Sequence, residues 1–81
     1  MKMSNDYFIT SDFPLGVTLV SLGFCLESVS KAESNRASFY FKREEGLDNA
    51  VQAFWRDALR IEPKQFYLNQ KLLKSRIFEN Q

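Results

Sequence analysis

The 81 residues carry eleven basic and ten acidic side chains, a formal net charge of +1, and 44% of them are hydrophobic. That length holds one domain, residues 1–81, and eight Phe, three Tyr and one Trp against three Gly and two Pro exclude a disordered tail or linker. One cysteine and no histidine exclude an intrachain disulfide, a Cys/His zinc site and histidine-based acid–base or triad catalysis.

The first element is a short strand over Asp6–Thr10, aromatic and β-branched. Ser11 or Asp12 then offers a helix cap, with Pro14 tolerated in the first turn. The helix runs to Leu22 and stops at Gly23, a residue suited to the left-handed position after a helix. Leu15, Leu19 and Leu22 form one stripe and Phe13, Val17 and Val20 another; Gly16 lies between them, and only Thr18 and Ser21 are polar. A helix this apolar is buried on most sides.

The apolar stretch Phe13–Leu26 is too short to cross a bilayer, which takes about 20 residues. Asp6 and Asp12 precede it, not the basic cluster of a signal peptide, so the expected location is the cytoplasm, with no membrane partner.

Phe24–Ser30 and Arg36–Lys42 read as two strands of a hairpin joined by turn residues 31–35. The second strand alternates: Phe39 and Phe41 on one face, Arg36, Ser38, Tyr40 and Lys42 on the other. Gly46 closes this region. Leu47, Val51, Phe54 and Ala58 then recur at helical spacing, with Gln52, Arg56 and Arg60 opposite and Trp55 and Leu59 on the flank. Glu62-Pro63 breaks the run, and Pro63 suits the first position of a last helix to about Phe78. That helix turns Phe66, Leu73 and Ile77 inward, with Leu68 and Leu72 beside them.

The predicted architecture is α+β in the order β-α-β-β-α-α. A right-handed crossover makes the first two strands parallel, and the third sits antiparallel between them in a sheet of order 1-3-2. The helices cover the Phe39/Phe41 face.

Three features bear on function. Arg36, Tyr40 and Lys42, with Tyr7 or Phe8 beside them, form a sheet surface on which bases stack and phosphates meet cations. Lys64, Tyr67, Lys71, Lys74 and Phe78 share one face of the last helix, suited to a phosphate backbone or an acidic partner. The apolar surplus on Leu15, Leu19, Trp55 and Leu59 either suits a protein partner or a second copy of the chain, or is covered by the C-terminal helix. The carboxylates Asp6, Asp12, Glu27, Glu33, Glu44, Glu45 and Asp48 are scattered, so neither a metal nor an active site is expected. Neither G-x-x-x-x-G-K-[ST] nor G-x-G-x-x-G occurs, so no cofactor is expected. Cys25 sits where a small buried apolar residue fits, without a cation to activate its thiol. A non-catalytic binding module is the leading expectation and a nucleic-acid-binding accessory protein the alternative.

Residues 6–12 (Asp-Tyr-Phe-Ile-Thr-Ser-Asp), 19–24 (Leu-Val-Ser-Leu-Gly-Phe), 39–41 (Phe-Tyr-Phe), 51–55 (Val-Gln-Ala-Phe-Trp) and 61–66 (Ile-Glu-Pro-Lys-Gln-Phe) span nearly the whole chain. In these runs the sequence resembles a family of short prokaryotic and phage-borne domains of unknown function, where Asp often stands in place of Glu62. The matching residues are core and capping residues. The resemblance therefore implies a fold, a bacterial, archaeal or viral source and an accessory role, and it lends no catalytic residues.

Overall fold

The computed structural model describes residues 6–31 and 36–79. Its elements follow in the order β1 (Tyr7–Thr10), α1 (Phe13–Ser21), β2 (Leu26–Lys31), β3 (Ala37–Lys42), α2 (Leu47–Trp55) and α3 (Pro63–Glu79). The three strands form one sheet of order β1-β3-β2, with β3 antiparallel to both neighbours. Strand order and directions are those the crossover argument gives. The hairpin turn expected over 31–35 lies, from residue 32 to 35, outside the described residues.

Alternation along β3 decides which face is dry. Phe39 and Phe41 are fully buried among Leu15, Val17, Leu19, Val29, Leu47 and Leu73. Ser38, Tyr40 and Lys42 point to the other face, which none of the described helices covers. In β1, Phe8 packs against the core while Tyr7 and Ile9 are exposed on the open face. Of the two β1 aromatics, Tyr7 alone therefore joins Tyr40.

Helix α1 is central. Asp12 caps it through Oδ1, which accepts the Leu15 N–H at 3.0 Å. Its other end is a Schellman turn: the Gly23 N–H donates to Val20 O and the Phe24 N–H to Leu19 O, with Gly23 at φ 98°. That turn takes Phe24 and Cys25 out of the expected strand, so β2 starts at Leu26. Cys25 is consequently exposed rather than a small core residue.

The apolar excess of α1 is absorbed by the fold. Leu15 is 1% exposed and Leu19 fully buried, because the sheet lies on one side of α1 and α3 with α2 on the others. These two leucines are core, not the contact surface expected of them. The polar residues of α1 are also enclosed. The Ser21 hydroxyl donates to Val17 O and accepts from Asn69 Nδ2 of α3 at 3.0 Å, tying the two helices together.

Helix α2 ends at Trp55, earlier than its periodicity suggests. Asp57 adopts φ 57°, its N–H donates to Phe54 O and the Ala58 N–H donates to Ala53 O, a second Schellman turn. Ala58 is therefore exposed instead of lying under the helix. Helix α3 starts where Pro63 predicts. The Glu62 carboxylate accepts the Gln65 N–H at 2.8 Å and acts as its cap. Leu73 is fully buried and Phe66 and Ile77 pack beside it, but Leu68 and Leu72 are each about half exposed rather than inward.

Candidate functional site: an aromatic cleft and two cationic faces

The early stop of α2 leaves a cleft along the connection between α2 and α3. Five residues, 58–62, run without helical structure between α2 and α3. Leu59 and Ile61, two apart, turn towards α1 and are half-buried. Together with Phe54, Trp55, Asp57 and Thr18 they line a cleft of about 310 Å³. Trp55 stands at the rim with 61% of its surface exposed, its ring edge-on to Phe54 at a centroid separation of 4.9 Å. Thr18 is 4% exposed, and Asp57 supplies a carboxylate.

Of the four apolar contact residues read from the sequence, the fold thus brings Trp55 and Leu59 together and takes Leu15 and Leu19 away. Phe54, Ile61, Thr18 and Asp57 are additions. Ile61 was legible in principle: Leu59-x-Ile61 alternates ahead of Pro63, a pattern that favours an extended segment over one more helical turn.

The outer sheet face gathers Tyr7, Ile9, Ser38, Tyr40 and Lys42. Tyr7 meets Tyr40 edge-on at 6.3 Å, and the Ser11 and Ser38 hydroxyls are 3.3 Å apart. Arg36 is exposed just before β3. At one end of this face a cleft of about 290 Å³ is lined by Asp6, Tyr7, Glu27, Lys42 and Arg43. Cations and carboxylates alternate there, so the local charge is near balance. Arg43 is further committed to Asp48 at 2.7 Å, with its guanidinium 5.9 Å from the centre of the Phe8 ring.

Cys25 borders this end. Its thiol donates to Glu27 Oε2 at 3.6 Å, and its backbone N–H donates to Glu44 Oε2 at 3.4 Å. Partial desolvation, that hydrogen bond and the charges of Glu27 and Glu44 push the thiol above its ordinary value, against the weaker pull of Lys42. The thiolate is disfavoured, the opposite of what a nucleophilic cysteine needs.

Lys64, Tyr67, Lys71 and Lys74 are all exposed along α3, with the Lys71 ammonium 5.4 Å from the Tyr67 ring centre. They point away from Leu73, on the side of the domain opposite the open sheet face. The two sets of basic residues read from the sequence therefore form two surfaces, not one. Among the described residues no three His, Cys, Asp or Glu side chains are grouped to hold a metal ion. No helix among them is long and apolar enough to cross a membrane.

The family model described as a domain of unknown function, DUF5659, matches residues 5–79. The chain belongs to this family. Neither the curated proteins nor the solved structures include a match to it. The match extends from β1 to the end of α3 and takes in the whole cleft. The family description adds no activity to the geometry.

Proposed function

We propose that this DUF5659 domain is a non-catalytic protein-binding module, and that an apolar side chain of a protein partner enters the Trp55 cleft. The observation that carries the reading is the exposure of Trp55 over a cleft walled by Phe54, Leu59 and Ile61. The depression has a mixed lining, apolar at Phe54, Leu59 and Ile61 and polar at Thr18 and Asp57. A solvated indole on its rim gains when a partner covers it, and Trp is among the commonest anchors of protein interfaces. Full burial of a large apolar side chain contributes about 1.5–3 kcal/mol, enough to make one residue dominate a small interface. The cytoplasm is the proposed location, supported by an exposed free thiol that suits a reducing compartment. The resemblance to short prokaryotic and phage-borne domains supports an accessory role.

A photo-crosslinking side chain at position 55, compared with one at exposed position 52 of the same helix, tests this in cells. Crosslinks to a protein from 55 alone, abolished by Leu59→Asp, are expected. Equal crosslinking from 52, or adducts only with nucleic acid, sinks the reading. Light scattering across concentrations tells a second copy from a different partner.

A second reading rests on the open sheet face, where Tyr7 and Tyr40 lie side by side beside Lys42. Single-stranded nucleic acid binds such platforms by base stacking, with Arg36 and Lys42 meeting phosphates. Because Asp6 and Glu27 offset the cations, stacking has to carry most of that binding. Titration with single-stranded oligonucleotides then shows shallow salt dependence and loss on Tyr40→Ala. No binding at about 50 mM salt ends this reading.

A further inference from the structure

The outer face of α3 has a composition that neither reading above uses. The helix is about 25 Å long at 1.5 Å per residue, and its inward side needs only Phe66, Asn69, Leu73 and Ile77. On the solvent side Tyr67, Leu68 and Leu72 are half exposed or more, and Phe78 is 70% exposed. Lys64 and Lys71 border the leucines, and Lys74 lies beyond them towards the other flank of the helix. From Pro63 to Phe78 there is not one Asp or Glu. Among the described residues no carboxylate pairs with these three lysines.

An ordinary solvated helix face intersperses both signs of charge and gains from Glu–Lys pairs four residues apart. This face instead combines unopposed positive charge with leucines and aromatics. The charge asks for an anionic partner. The leucines exclude a bare phosphate backbone, which offers aliphatic groups nothing to pack against. Leu68 and Leu72, one turn apart, form a ridge of the kind that fits between the side chains of a second helix.

We infer that this face of α3 docks an acidic amphipathic helix of a partner protein, whose apolar stripe covers Leu68 and Leu72 while its carboxylates meet Lys64 and Lys71. The inference does not depend on the Trp55 cleft, since it uses none of its residues. The leucine ridge supplies contact area. The lysines speed encounter and select against basic or neutral partners, since each rim ion pair adds less than about 1 kcal/mol.

The test is a fluorescence titration of the full chain with a synthetic helical peptide carrying a leucine stripe flanked by glutamates. Controls are the same peptide with glutamines, an oligothymidylate and phosphatidylglycerol vesicles. The acidic peptide is expected to bind and to weaken about tenfold or more as salt rises from about 50 to about 500 mM, where screening falls to a few ångströms. Lys64→Glu/Lys71→Glu and Leu68→Ser/Leu72→Ser are each expected to lose tenfold or more in affinity. The lysine pair is exposed and should leave the thermal midpoint at the parent's value, whereas the half-buried leucines lower it by some degrees. Binding is therefore read well below both midpoints, with the helical circular dichroism of each variant matching the parent, which separates lost docking from lost folding. Equal binding of the glutamine peptide, indifference to either double substitution, or binding of the oligonucleotide or the vesicles in preference to the acidic peptide overturns the inference, as does no peptide binding at low salt.

Discussion

Gly16 of α1 lies so close to Leu73 of α3 that a β-carbon at position 16 would stand 3.3 Å from Leu73 Cδ2. The same β-carbon would stand 3.3 Å from Phe39 Cδ2, so this glycine sets the spacing of sheet, central helix and outer helix together. Two effects compete when Gly16→Ala is made. Removing a glycine from a helix interior gains up to about 1 kcal/mol. Overpacking a filled core costs about 1–3 kcal/mol. Both neighbours are fully buried and have little room to move, so packing wins. The expected result is a net loss of about 1 kcal/mol in urea unfolding. Leu73→Val shortens the side chain by one carbon and removes the contacting Cδ2, and in that background the Gly16→Ala penalty should shrink by at least about 0.5 kcal/mol. Strict additivity in the double variant contradicts the close approach.

Asp57 holds α2 to its length. Its φ of 57° costs a residue with a side chain about 1 kcal/mol relative to glycine, which occupies the left-handed region freely. Asp57→Gly should raise stability by up to about 1 kcal/mol, and Asp57→Val should lower it by more than Asp57→Ala. If both the glycine and the valine variants unfold at the parent's denaturant midpoint, the turn at the end of α2 is not set by this residue.

These two positions mark how far the sequence discloses the fold. Element order, sheet order and the dry face of β3 follow from local signals: the alternation around Phe39 and Phe41, the Asp12 cap, the Gly23 stop and Pro63. The end of α2 does not, because Asp at a left-handed position leaves no composition signal comparable to glycine, and Ala58 and Leu59 continue the apolar periodicity across the break. The cleft exists only because of that break, so its walls were legible as residues and not as a site. Leu15 and Leu19 fail as surface residues for a related reason. Their burial depends on α3 packing across α1, a relation between segments some 50 residues apart: the all-round apolarity of α1 signals burial, but not whether α3 or a partner supplies it.

Trp55 is the chain's single tryptophan, which makes the cleft self-reporting. Exposed as it is, its emission should be that of a solvated indole and be quenched readily by acrylamide. Trp55→Ala removes the buried two fifths of the side chain and its edge contact with Phe54 and should cost about 1–2 kcal/mol, well short of unfolding the domain. Occupation of the cleft by an apolar side chain should move the emission to shorter wavelength and slow quenching. A shielded indole in the free domain would show the cleft already closed, and the site would lose its basis.

Cys25 supplies a pH-dependent readout beside the start of β2. Desolvation, the hydrogen bond to Glu27 Oε2 at 3.6 Å and the charges of Glu27 and Glu44 all disfavour the thiolate, with Lys42 opposing them. The group therefore ionises at higher pH in the folded chain than in an unfolded one. At any pH below that point less thiolate is present, so alkylation by iodoacetamide should be slower in native protein than in the denatured chain, despite the exposed sulfur. The rate-against-pH curve should shift to higher pH on folding. Glu27→Gln removes one of the two negative charges, which should move the curve back towards the ordinary value and raise the rate near pH 8. Lys42→Gln removes the one stabilising cation and should move it further up. Native and denatured chains alkylating at equal rates, or Glu27→Gln slowing the reaction, would show that these carboxylates do not govern the thiol.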